Sequence, residues 1–187
     1  MNNPFIYGEA VTDENFCDRT EEINKLKMDL MNSQKIFLIS TRRMGKTSLI
    51  KTVLTKLKKE NFITVSLDLE GFSSYKDFLD NYLLTLMNEA VPVDRMLIFL
   101  RNVLPGIRII FKVDGSGEPL LSLGYSRSEP ELEKIAVRIF ALPEIISKRR
   151  KRKVVVVFDE FQEILELNGK KIEGILRATI QHQRDVG

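Results

Sequence analysis

The run Ser40-Thr41-Arg42-Arg43-Met44-Gly45-Lys46-Thr47-Ser48 places a glycine, a lysine and two hydroxyls in succession. Its spacing is that of a phosphate-cradling loop of the Walker A kind, with Ser40 standing where the first glycine is usual. The chemistry this pattern can serve is polyphosphate binding. Successive backbone N–H groups of a loop that closes into a helix point at one concavity, and the helix dipole adds a positive field. Gly45 admits a close backbone approach, Lys46 can reach β and γ oxygens, the Thr47 hydroxyl can ligate a magnesium ion, and Ser48 lies near the α-phosphate. Arg43 and Met44 belong to the same loop; Arg42 and Arg43 either neutralise phosphate charge, pair with acids across the site or face solvent.

A second pattern is Val154-Val155-Val156-Val157-Phe158-Asp159-Glu160, an apolar run ending in two adjacent carboxylates. A buried parallel strand delivers acids to its carboxyl edge in this way, and open α/β sheets keep their sites at that edge. In that setting Asp159 holds magnesium, directly or through water, and Glu160 accepts a proton from, or orients, a water attacking a γ-phosphorus. The plain alternative is an ordinary acidic turn after a strand.

Both patterns need elements to hold them. Gly-Lys-Thr is short enough to recur by chance, but the apolar run Ile36 to Ile39 precedes it as a strand. The stripe Leu49, Ile50, Val53, Leu54 and Leu57 follows it as a helix over Lys46 to Glu60. A further helix is expected over Glu21 to Met31, a strand over Phe62 to Leu69, and helices over Ser74 to Ala90 and Arg95 to Leu104. Ile107 to Val113 and Pro119 to Tyr125 flank the turn-rich Asp114 to Gly117 and read as an inserted hairpin. Leu132, Ile135, Ile139 and Leu142 mark a helix restarted at Pro143, and a last helix runs from about Lys170 to Gln183. Apolar runs alternating with helical stripes define the expected fold class: an α/β, three-layer sandwich with a mostly parallel sheet and an inserted β-hairpin.

The bulk numbers are compatible with one domain over residues 1–187, with 43% hydrophobic content. The 29 basic and 26 acidic side chains nearly cancel, so the net charge of +3 gives no general argument for nucleic acid or membrane. Cys17, the single cysteine, excludes an internal disulfide and fits a reducing compartment. The run Met1 to Tyr7 has no leader pattern and the longest apolar run is too short to span a bilayer, so a cytoplasmic location is expected. The run Lys148 to Lys153 is either a solvated helix end or a contact for nucleic acid or an acidic partner, the former being favoured. The single histidine, His182, has no partner at metal-ligand spacing and is assigned a surface position.

On Phe16-Cys17-Asp18-Arg19, Arg42 to Ser48, the hairpin and Phe158-Asp159-Glu160-Phe161, the chain resembles the AAA+/STAND-like P-loop ATPases of the additional-strand class. The resemblance implies ATP and Mg²⁺ as cofactors, and places Phe16 and Arg19 on the adenine side. It also implies that the sequence stops at Gly187 ahead of a strand carrying a polar sensor residue, and that this strand would lie between Ile36–Ile39 and Val154–Phe158.

The expected function is therefore that of an ATPase with Lys46 and Glu160 as catalytic residues and conformational change as output, acting on an unidentified macromolecular partner. The runner-up is a nucleotide-gated signalling or binding module with weak or no hydrolysis. A small-molecule kinase would need an acceptor pocket, and a GTPase a guanine-specific Asn/Thr-Lys-x-Asp string, which the sequence lacks.

Overall fold

A computed structural model of the chain describes residues 19–39, 44–113, 119–124, 129–167 and 169–187. Phe16, Cys17, Ser40 to Arg43 and the hairpin turn Asp114 to Gly117 lie outside the described residues. Among the described residues no helix is long and apolar enough to cross a membrane.

The order is α1 (Thr20–Met31), α2 (Lys46–Lys59), β1 (Ile63–Asp68), α3 (Tyr75–Ala90), α4 (Val93–Val103), β2 (Arg108–Val113), β3 (Pro119–Gly124), α5 (Glu129–Phe140), α6 (Leu142–Arg150), β4 (Val154–Asp159) and α7 (Gly169–Ile180), with a 3₁₀ turn at Phe161–Leu165. The chain is thus mixed α/β. Strands β1 and β4 form a parallel pair in the register Ile63↔Val154 through Asp68↔Asp159, and β2 with β3 forms a separate antiparallel hairpin.

Side chains on a strand alternate between its faces, and β4 uses both. Val154, Val156 and Phe158 join the large core built from α3 to α7 and β1. Val155 and Val157 join a smaller one formed with Ile23 and Leu30 of α1 and Leu49, Val53 and Leu57 of α2. Pro143 falls in the first turn of α6, where a missing N–H costs nothing, so the long helical stripe becomes two helices.

Two expectations need correcting. Among the described residues Ile36 to Ile39 pairs with no strand; it forms no regular element, with Phe37 70% and Ile39 93% exposed. Also, β4 is not buried throughout: Val154 and Val155 are fully covered, whereas Val156 to Asp159 are partly buried. Both departures share a cause. The edge of β4 away from β1 is paired only at its start, where Val154 N–H donates to Asp185 O, Val156 N–H to Gly187 O, and Gly187 N–H to Val154 O. Past Val156 none of the described residues pairs with that edge, Ile36–Ile39 included. A run of four apolar residues becomes a strand only through a ladder, which local sequence cannot supply.

Candidate functional site

The parallel register brings the carboxyl ends of β1 and β4 together, so Asp159 and Glu160 emerge at one edge of the sheet. Opposite them α2 begins. Gly45 precedes it at φ 70°, a left-handed conformation that glycine adopts without steric penalty, and the helix opens with Lys46 and Thr47 aimed at the acids.

The Lys46 ammonium lies 2.7 Å from Asp159 Oδ1 and 3.2 Å from Glu160 Oε1. Thr47 Oγ1 donates to Asp159 Oδ2 at 3.0 Å, and the Glu160 amide donates to Asp159 Oδ1 at 3.0 Å. Residues more than a hundred positions apart in sequence therefore share one cluster. Ser48 is buried one position further along the helix.

The electrostatics follow from these contacts. The hydrogen bond to Asp159 pushes the Lys46 ammonium above its ordinary pKa, outweighing desolvation, so it stays charged. Burial pushes Asp159 up, but Lys46, the Glu160 amide and Thr47 together hold its carboxyl below the usual range. Glu160 is also held low, first by the Gln162 amide and then by Lys46.

Glu160 itself sits at φ 49°, ψ 45°, a left-handed backbone that costs a non-glycine residue roughly 1–2 kcal/mol. Its side chain is clamped at both ends: Oε1 accepts from Lys46, and Oε2 from Gln162 Nε2. Gln162 is a site residue that the sequence reading missed. Its only signal is a position two residues beyond Glu160, and that spacing becomes a contact through the left-handed turn and the 3₁₀ helix behind it.

Arg19, expected on the adenine side, contacts the phosphate-loop turn itself. Its guanidinium donates to Met44 O at 2.7 Å and pairs with Glu22. It thus braces the turn ahead of Lys46, with α1 as its support. Lys35 was also missed. Its ammonium donates to Ser33 O and Gln183 O, at 3.0 and 3.1 Å, and to Val186 O, tying the start of the Ile36–Ile39 segment to the far end of the chain.

A cavity of about 1530 Å³ opens beside this cluster, lined by Gly45 to Ser48, Asp159 and Glu160 on one side. Ile36–Ile39, Val156–Phe158 and Gly187 also line it and make it largely apolar away from that cluster. Phe37 meets the Phe161 ring edge-on at 6.1 Å across its mouth. Drug-sized ligand pockets span roughly 300–1,000 Å³, so this one combines a polar mouth with the gap along β4.

The basic run is largely committed to the protein itself. Lys148 pairs with Glu144, Arg149 lies 5.4 Å over the Phe99 ring, Arg152 donates to Asn61 O and Phe62 O, and Lys153 to Met31 O. His182 is exposed, as expected.

The donor set suits a hard cation and a polyanion together. Thr47 and Asp159 offer adjacent oxygens, the ligand type that magnesium takes, and two ligands leave its other positions to phosphate or water. No group of three or more His, Cys, Asp or Glu side chains is placed to hold a metal among the described residues. Comparison with family models, curated proteins and solved structures gives no match for this chain.

Proposed function

We propose that the chain binds Mg-ATP at the start of α2 and hydrolyses it, with conformational change as the output. The observation that carries this reading is the direct contact of Lys46 and Thr47 with Asp159 and Glu160 at a cavity mouth. A turn bearing a glycine, a lysine and a hydroxyl faces two acids at a sheet's carboxyl edge, an arrangement suited to phosphoryl transfer.

In this reading Gly45 and the first amides of α2 receive the phosphates, with Met44, Arg43 and Ser48 beside them, while Arg19 holds the turn from behind. Phe16 is proposed on the adenine side. Thr47 and Asp159 are the residues that would hold magnesium, which would supply charge neutralisation to the polyphosphate. Lys46 exchanges its carboxylate partners for phosphate oxygen. That exchange frees Glu160 Oε1 to accept a hydrogen bond from water, with Gln162 holding the other oxygen. The fold proposed with this function is the P-loop sandwich, and the proposed location is the cytoplasm. A macromolecular partner would receive the conformational change; nucleic acid gains little support, since four of the six cations from Lys148 to Lys153 already have partners within the chain.

The clamp on Glu160 favours a second reading, a nucleotide-gated module with little turnover, because both carboxylate oxygens are held by donors. Phosphate release separates the two. As an ATPase, the parent turns over and Glu160→Gln retains nucleotide while losing at least about a hundredfold in rate. As a module, the parent itself shows little turnover. Lys46→Ala weakens nucleotide binding under both, and undiminished binding by that variant would overturn the site.

A further inference from the structure

Lys46 occupies the carboxylate oxygen that a cation at Thr47 and Asp159 would need. Its ammonium is 2.7 Å from Asp159 Oδ1 and 3.2 Å from Glu160 Oε1, while Oδ2 is engaged by Thr47. Asp159 and Glu160 are neighbours in sequence, with the Glu160 amide bonded to Asp159 Oδ1. Without Lys46 the pair would present two negative charges met, among the described residues, by neutral donors alone: Thr47, the Glu160 amide and Gln162.

We infer that Lys46 acts as a tethered counter-ion that keeps divalent cations out of the Thr47–Asp159 pair until a polyphosphate draws the ammonium away. The inference deepens the Mg-ATP reading and rests on it for the identity of the polyanion. Three features carry it. The pair is partly buried, with Asp159 13% and Lys46 24% exposed, so the charges interact more strongly than in open water. The ammonium is attached to α2 and loses less entropy on pairing than a free ion does. The described residues also lack a third carboxylate, thiol or imidazole that would let a cation outcompete it.

Cation and nucleotide binding are then coupled in one direction. A divalent ion alone meets a positive charge already seated, whereas a polyphosphate both removes that charge and adds oxygen ligands. The cation enters with the nucleotide or after it.

The test uses Mn²⁺ as the probe, read by its electron paramagnetic resonance signal on the full chain without nucleotide. Lys46→Met is expected to bind Mn²⁺ about tenfold more tightly than the parent, a conservative figure for losing one like charge at this range. Lys46→Arg, which keeps the charge, should stay as weak as the parent, an outcome that a loss of packing alone would not give. Adding Asp159→Asn to Lys46→Met should abolish the gain. Lys46→Gln serves as a second neutral variant if the circular dichroism of Lys46→Met departs from that of the parent. Equal Mn²⁺ affinity in the parent and the neutral variants overturns the inference, as does a gain that survives Asp159→Asn. Because this comparison contains no nucleotide, a parent that binds Mn²⁺ weakly but never binds ATP would sink the nucleotide reading and leave the counter-ion role standing.

Discussion

Glu144, at the start of α6, shows how one side chain ties distant segments. Its Oε2 accepts from the Arg184 and Asp185 amides, each at 3.2 Å, and its Oε1 pairs with Lys148 at 2.9 Å. Burial pushes its carboxyl up, but Lys148 and the two amides outweigh that and hold it below its ordinary value. A carboxyl with a depressed folded-state pKa contributes stability above its unfolded pKa of about 4.3, and loses it as pH falls through the folded value. Glu144→Gln should therefore be less stable than the parent at pH 7, by about 1 kcal/mol for a pair near the surface. Urea titrations should show the gap shrinking as pH falls below the unfolded value of about 4.3 and closing once it is below the depressed folded one; a gap unchanged by acid would remove the charge from the account. At this scale the sequence was informative where residue type fixes chemistry. That Lys46 and Thr47 meet Asp159 and Glu160 was legible, because a loop closing into a helix and paired acids ending an apolar strand are both delivered to one sheet edge. Gln162, Lys35 and the bracing role of Arg19 were not, since each depends on backbone turns that bring its partner near.

Among the elements, helices were the more legible because their contacts are local. Leu49, Val53 and Leu57 recur at helical spacing and all three are buried in the cluster beneath α1. Leu57→Ala should cost about 3 kcal/mol, the usual range for emptying a packed site. Ile36 to Ile39 has the same apolar character and a different fate, because a strand's stability lies in a partner that composition does not specify. With Ile39 93% exposed, Ile39→Ser should change stability by no more than about 0.5 kcal/mol. Thermal or urea melting of the two variants checks both figures. A large loss in Ile39→Ser would mean that this segment is buried in a sheet after all.

Across the whole molecule, the helices on both sides of β4 could be anticipated from alternating apolar runs and stripes, whereas the extent of the sheet could not. In the parallel sheet β1 and β4 are laddered over six residues, and the far end of the chain contributes three hydrogen bonds to β4's other edge. Those bonds come from Asp185 and Gly187, and Lys35 fastens the same stretch through the Gln183 and Val186 carbonyls. One strand thus carries two environments. Its odd-numbered amides face β1, while its even-numbered ones face the other edge and are covered as far as Val156. In deuterated solvent the Val154 and Val156 amides should retain their protons far longer than that of Phe158, and Phe158 should trade faster than its neighbour Val157. Nuclear magnetic resonance, following the four signals over time, would display this as a single strand whose solvent clock runs at two speeds along one side.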